Sequence, residues 1–228
     1  RWVDSMVCSK RLANRSLGLG LIFLNCISVS GFAQVVAVSD FSSMGRTLQR
    51  SEIVGFQDAL YFSVGVDDTD DQELWKFDGE QVELVEAGFV AKSETSLGGF
   101  TEFQGSLYFR GDNGVSGEEL YRFDGDSVSL VADLQTGAGS SSPVGLTVHE
   151  DALYFSAQIG DSFSNLMRYD GSKVTQVAGF DNPRFSVVMG SSFAGDLYFG
   201  ADDGIHGMEL WKYDGERAAL VSDISPGN

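Results

Sequence analysis

Three stretches of this chain concentrate oxygen ligands. They read Asp67-Asp68-Thr69-Asp70-Asp71, Asp112-Asn113-Gly114 followed by Glu118-Glu119, and Asp202-Asp203-Gly204 followed by Glu209. A hard cation such as Ca²⁺ takes about six to eight oxygens from carboxylates and carbonyls on an adaptable loop. Asp67, Asp68, Asp70, Asp71, Asp112, Asn113, Asp202 and Asp203 are therefore the candidate calcium ligands. None of the loops fits the twelve-residue EF-hand pattern. Asp, Asn and Gly are also the residues of tight turns, where a side-chain oxygen bonds the backbone two residues on. Both readings stand at this point. Other chemistry is sparse. His149 and His206 are far apart in sequence and neither belongs to a His-Glu-x-x-His helix. There is no Gly-x-Ser-x-Gly elbow, P-loop or dinucleotide fingerprint. A glycosidase-like carboxylate pair stays open simply because acids are abundant. Glu73, Glu119 and Glu209 recur in similar surroundings. A group repeated at a fixed period is expected to make the same local bonds in every copy, whereas a catalytic group occurs once.

That period organises the chain. Leu197–Gly215 (LYFGADDGIHGMELWKYDG) recurs in altered form at Leu60–Gly79, Leu107–Gly125 and Leu153–Gly171. The LYF triplets step by 47, 46 and 44 residues, and the Asp-Gly pairs Asp78-Gly79, Asp124-Gly125, Asp170-Gly171 and Asp214-Gly215 by 46, 46 and 44. Constant spacing of this length marks a repeat architecture. Each unit parses into four short strands. In the second they are Gly99–Phe103, Ser106–Gly111, Glu119–Asp124 and Ser127–Asp133; in the third, Gly145–His149, Ala152–Ala157, Asn165–Asp170 and Lys173–Ala178. Asp-Gly between the third and fourth strands predicts a type I′ hairpin turn, because both residues accept positive φ. The second strand is informative. Side chains alternate between faces along a strand, yet Leu107, Tyr108 and Phe109 are all large and mostly apolar. A sheet covered on both faces wants this; a half-solvated sheet does not. Four antiparallel strands per unit of this length, stacked face to face, give an all-β fold: a β-propeller, or part of one, of about four blades. Trp75, Tyr121, Met167 and Trp211 share one position and are expected to pack between blades. No segment outside the N-terminal leader shows a sustained helical period.

Glu73-Leu74-Trp75-Lys76-Phe77-Asp78-Gly79 and Glu209-Leu210-Trp211-Lys212-Tyr213-Asp214-Gly215 resemble the bacterial ELWxxDGT repeat. Val131-Ala132-Asp133-Leu134 and Leu220–Gly227 resemble the LVxDIxPG segment that follows it in that family. The resemblance spans about residues 50–228 and implies an exported, propeller-like repeat protein. It implies no particular activity. No unit here has Thr after Asp-Gly, since Glu80, Asp126, Ser172 and Glu216 stand there, and the third unit has Asn165-Leu166-Met167 in place of Glu-Leu-Trp.

Residues 1–33 read as a bacterial secretory signal peptide. Lys10, Arg11 and Arg15 precede the apolar run Leu17–Val29, and Gly31-Phe32-Ala33 offers small residues for cleavage before Gln34. Both cysteines, Cys8 and Cys26, fall in this segment, so the remainder has no thiolate metal site or disulfide. Of the 15 basic and 33 acidic residues, four and one lie in 1–33, which leaves 11 and 32, a net charge of −21. Such a surface repels nucleic acid and anionic lipid. Neither is an expected partner, and no stable membrane insertion is expected once the leader is gone.

The expected domains are the leader 1–33, an arm 34–50, and four repeats at about 51–96, 97–144, 145–188 and 189–228. In the arm, Val35–Met44 resembles the end of the last unit, Ala219–Gly227, and reads as a fourth strand with no blade of its own. The natural propeller then extends beyond Asn228; the rival is a four-bladed closure with a loose arm. The functional expectation is a secreted or cell-surface, non-catalytic binding or scaffold module for protein or glycan, with no cofactor except calcium in the acidic loops. The alternative is an extracellular hydrolase or lyase on a propeller. Oligomeric state is not legible.

Overall fold

The computed structural model describes residues 39–48, 52–85, 89–92, 97–160, 165–177 and 187–224. The leader, the first half of the arm strand read at Val35–Met44, Asp161 and Ser225–Gly227 lie outside them.

The fold is all-β, in four antiparallel sheets that follow one another along the chain. The first holds β1 (Arg46–Leu48), β2 (Val54–Phe56), β3 (Ala59–Val66), β4 (Gln72–Phe77) and β5 (Val82–Leu84). The second holds β6 (Gly98–Phe103), β7 (Ser106–Asp112), β8 (Glu118–Phe123) and β9 (Val128–Ala132). The third holds β10 (Val144–His149), β11 (Ala152–Ala157), β12 (Asn165–Tyr169) and β13 (Val174–Gln176). The fourth holds β14 (Val187–Phe193), β15 (Asp196–Asp202), β16 (Met208–Tyr213) and β17 (Ala218–Ser222). Each is a meander in which sequence neighbours pair, except that β1 pairs with β3 beyond the end of β2. Observed strand ends in the second and third sheets fall within two residues of those read from the sequence.

Three of the four buried clusters form between sheets. Tyr61 and Leu74 of the first sheet pack against Leu107, Phe109, Tyr121 and Phe123 of the second. Tyr108 and Leu120 then meet Leu153, Phe155, Met167 and Tyr169 of the third. Tyr154 and Leu166 meet Leu197, Phe199, Trp211 and Tyr213 of the fourth. The rule is constant: the middle Tyr of LYF and the Leu of ELW face the next sheet, while the flanking Leu and Phe and the Trp position face the previous one. Tyr121, Met167 and Trp211 thus lie between sheets, as their common position predicts. Trp75 packs with Phe62 and Val64 against Phe41 and Met44 of the arm. All six residues of β11 are buried, on both faces. The first strands adjoin at the inner edge, β10 between β6 and β14. There Thr101 Oγ1 donates to the Leu146 carbonyl at 3.3 Å and Thr147 Oγ1 to that of Gly190 at 3.1 Å.

One expectation is corrected. The Asp-Gly pairs do not form type I′ turns. Only the glycines have positive φ, from 93° at Gly215 to 108° at Gly125, and the aspartates do not. Each loop is four residues long. Oδ1 of Asp78, Asp124, Asp170 or Asp214 accepts the N–H groups two and three residues on, at 2.8–3.0 Å. An ionised side chain capping two amides is better served in this loop than in a two-residue turn. The primed turns sit instead between first and second strands, at Gln104-Gly105 and Ala194-Gly195, where both residues have positive φ. The fourth-strand reading of Val35–Met44 falls partly outside the described residues of the arm. Its described part is a short 3₁₀ turn, Ser42–Met44, followed by β1, which pairs with the C-terminal half of β3 (Arg46 opposite Val66). Residues 46–48 therefore extend the first strand of the first sheet, because β3 runs past the end of β2 and offers unpaired backbone groups there.

Candidate functional site

The calcium candidates lie in the loops between second and third strands, at the same rim of successive sheets. In the second and fourth sheets their oxygens are used by their own loops. Asp112 Oδ1 accepts Gly114 N–H at 2.7 Å, and Asn113 Oδ1 accepts those of Val115 and Ser116, both at 2.9 Å. The fourth sheet repeats this: Asp202 Oδ1 takes Gly204 N–H at 2.7 Å, and Asp203 Oδ1 takes those of Ile205 and His206 at 2.9 and 2.8 Å. His206 Nδ1 lies 2.8 Å from Asp203 Oδ2, and this bond raises the imidazole pKa above its ordinary value. In the first sheet Asp67 accepts from Thr47 Oγ1 at 2.8 Å and Asp71 pairs with Lys92 at 2.9 Å, while Asp68 and Asp70 point outward, exposed. Among the described residues, no three His, Cys, Asp or Glu side chains are grouped to hold a metal ion. In the second and fourth sheets the geometry is that of Asx turns.

The repeated glutamates are inside. Glu119 is fully buried. It accepts N–H bonds from Leu134, Gln135 and Ser141, each at 3.1 Å, and the Ser141 hydroxyl at 2.5 Å. Burial pushes its carboxyl pKa up, and these four donors pull it back. Glu209 takes Ile224 N–H at 2.8 Å. Leu134 and Ile224 are equivalent residues of the segment after the fourth strand, so this Glu ties that segment to the blade. Asn165 in the third sheet accepts instead from Gln176 on β13, at 2.9 Å. Glu73 is held by Arg46 through Nε at 2.8 Å and Nη2 at 3.0 Å, and by Trp75 Nε1 at 3.0 Å. His149 is likewise structural: buried, 2.9 Å from Ser192 Oγ on the next sheet and edge-on to Tyr154.

What the motifs do not use is an apolar concavity on the outer face of the first sheet. A pocket of about 520 Å³ is lined by Leu48, Ile53, Leu60, Phe62, Phe77 and Val82, with Ser39–Ser42 and Arg46–Thr47 at its border. That volume is in the range of ligand pockets. Leu60 is 42% exposed here, while its equivalents Leu107, Leu153 and Leu197 are at most 1% exposed. Sequence reading missed this surface. Its signal was present: the first unit carries the full set of previous-blade-facing residues with no LYF…ELW unit ahead of it.

No family model and no curated protein sequence matches the chain. Solved structures do. The propeller domain of the trilobed protease from Pyrococcus furiosus, described as having an open velcro topology, is 14% identical over 78% of this chain and 53% of that one, with a TM-score of 0.53. The fold is that of β-propeller blades. A puromycin-hydrolysing peptidase of Mycobacterium tuberculosis is 12% identical over 78% of this chain and 29% of its own, TM-score 0.54. A puromycin hydrolase is 12% identical over 75% and 28%, TM-score 0.53. This chain thus spans between about a quarter and a half of these structures. At such identity the likeness is one of fold alone.

Proposed function

We propose that this chain is an exported, non-catalytic propeller module that binds a protein or glycan at the cell surface or outside the cell. The observation that carries the reading is the fate of the repeated polar groups. The ELW-type glutamates hold linker or arm groups, the Asp-Gly aspartates cap their turns, and the Asp-Asn-Gly and Asp-Asp-Gly loops fold on their own amides. A periodic motif spent on folding leaves recognition to what differs between units. Those parts are the outward side chains of the rim loops, such as Asp68 and Asp70 in the first unit, Val115 in the second and Ile205 in the fourth, which differ in charge and polarity. A rigid sheet array presenting variable loops is an established way to build a binding surface. The basic and apolar pattern of residues 10–33 and the absence of cysteine after Cys26 support export.

The test has two arms. The chain is screened against a glycan array and extracellular proteins, beside a variant with 67–71 and 203–207 replaced by Gly-Ser segments. Binding by the native chain that the folded variant loses supports the reading. Turnover of peptide or glycoside substrates by the chain would sink it. A reporter fused after residue 33 that is not exported would remove the extracellular setting.

A further inference from the structure

The three internal junctions share one position with unequal packing. On the inner strands Thr101 Oγ1 donates to the Leu146 carbonyl and Thr147 Oγ1 to that of Gly190. Leu146 and Gly190 therefore hold the same place in successive sheets, and Phe100, just before Thr101, holds it in the second. The residue after LYF comes to this place from the preceding sheet. The resulting pairs are Ser63 with Phe100, Arg110 with Leu146, and Ser156 with Gly190. The first two pairs each include a large side chain. The third has none.

A cavity of about 10 Å³ lies at this place in the third junction, lined by Gly145, Thr147, Ser156 and Leu166 of the third sheet and Gly190 and Leu197 of the fourth. Both inner strands bulge beside it, β10 between Val144 and Thr147 and β14 between Val188 and Gly190. A bulge interrupts the ladder and leaves backbone groups to other partners. The polar groups around the cavity are incompletely paired. Ser156 is 2% exposed, and its hydroxyl has no hydrogen-bond partner among the described residues. Thr147 Oγ1 lies 3.0 Å from the Gly145 carbonyl and 3.1 Å from the Gly190 carbonyl. A hydroxyl has one hydrogen, so it serves one carbonyl and leaves the other open to a second donor, while its own lone pairs can still accept. A buried hydroxyl without a partner is costly. A group that completes this set both donates and accepts, carries no charge, since no ionised residue lines the cavity, and is very small. About 10 Å³ is the least that admits a single water molecule.

We propose that one water molecule binds here, between the third and fourth sheets. Ser156 Oγ–H donates to its oxygen. Its two hydrogens go to Thr147 Oγ1 and to the glycine carbonyl that the Thr147 hydroxyl does not serve. About three partners is the usual number for a buried water. The water takes the room that a large side chain takes in the other two junctions, and it ties β10 and β11 to β14.

A crystal structure of the 228-residue chain that resolves ordered waters is the direct test. Expected is one solvent peak at about 2.5–3.0 Å from both Ser156 Oγ and Thr147 Oγ1. Ser156→Ala adds a reading whose sign depends on the water. In a dry cavity the hydroxyl is only a cost, and its removal would raise Tm. As the anchor of a bound water it stabilises, and its removal should lower Tm by about 2–4 °C. Gly190→Ala puts a Cβ 3.5 Å from Thr147 Oγ1 and 3.1 Å from Leu197 Cδ1, in the room of the water. The solvent peak should vanish in that variant, and Ser156→Ala should no longer lower Tm in its background. A native crystal structure that shows other buried waters and none here overturns the proposal. So does a Ser156 hydroxyl bonded directly to a protein group, a Ser156→Ala Tm at or above native, or a solvent peak that survives Gly190→Ala.

Discussion

Glu119→Gln isolates the chemistry of the repeated glutamate at nearly constant volume. The native carboxylate serves four donors with two oxygens. Oε1 takes the N–H groups of Gln135 and Ser141, and Oε2 takes Leu134 N–H and the Ser141 hydroxyl. A glutamine has one acceptor oxygen and one NH₂ group. With its oxygen in the Oε1 place, the NH₂ faces Leu134 N–H and the Ser141 hydroxyl. The hydroxyl can turn round and accept; the amide N–H cannot. One donor is stranded at about 1–3 kcal/mol, and the two bonds that survive fall from charge-assisted to neutral strength. Relief from burying a charge offsets most of this, because the raised carboxyl pKa means that burial outweighs the four donors. The net expectation is a loss of about 1 kcal/mol. For a domain of this size that lowers Tm by about 2–4 °C. Thermal unfolding followed by circular dichroism at pH 7 measures it. The pH dependence gives a second reading with a definite sign. A carboxyl whose folded pKa is raised binds a proton in the native state before the unfolded chain does, so the native protein gains stability relative to Glu119→Gln as pH falls from above the folded pKa towards 4.5. The gap between the two proteins should widen on acidification. A Tm within about 1 °C of native at pH 7, or a gap that narrows on acidification, would refute the hub role.

The turn aspartates have the opposite sign. N–H donors hold Asp78, Asp124 and Asp214 below the usual carboxylate range, and the Ser172 hydroxyl with two amides takes Asp170 to about 2. Their stabilisation is complete above the ordinary value of 3.8 and is lost as pH falls through the folded values; Tm should drop between pH 4 and 2, and changing all four to Asn should flatten that limb. Leu153→Ala, at a fully buried junction position, should cost about 2.7–5 kcal/mol in urea unfolding. Leu60→Ala, the same motif position at 42% exposure, should cost less than about 1 kcal/mol on dilute protein. Gly171→Ala places a side chain at φ +94° against Gln104 and should cost about 1–3 kcal/mol. Millimolar Ca²⁺ should leave Tm unchanged, because the rim carboxylates that are bonded already serve loop amides, Thr47, Lys92 and His206; a rise that disappears when Asp67, Asp68, Asp70 and Asp71 become Asn would reverse that view.

The period and the doubly apolar LYF strand were enough to read four stacked sheets, because spacing and side-chain alternation are properties of the sequence itself. The turn between third and fourth strands was misread because Asp-Gly is common to two loop geometries. A finer signal lay one step on. Val82, Val128, Val174 and Ala218, the first residues of the fourth strands, each follow the Asp by four, which leaves room for a four-residue loop. The role of Glu119 was only half legible. Repetition argued for local bonding, but its partners Leu134, Gln135 and Ser141 are 15 to 22 residues away and come near only after the linker wraps the rim. The pairing of Arg46 with Glu73 was hidden for the same reason, 27 residues apart and made by an arm with no repeat of its own.

The unit of stability in this fold is the junction between sheets rather than the sheet. One four-stranded sheet cannot bury both of its apolar faces, and a repeat array gains stability only as neighbours stack. The second and third sheets have two junctions each. The first has one junction and the arm, whose Phe41, Met44 and Arg46 cover Trp75, Phe62 and Glu73 but leave Leu60 in the open. The fourth has one junction, and among the described residues nothing covers the face that carries Leu210 and Phe193. In the third unit Met167 and Asn165 replace Trp and Glu: Met167 packs with Phe155 and Tyr169 between sheets, and Asn165 bonds Gln176 on the neighbouring strand where the glutamates bond linker or arm.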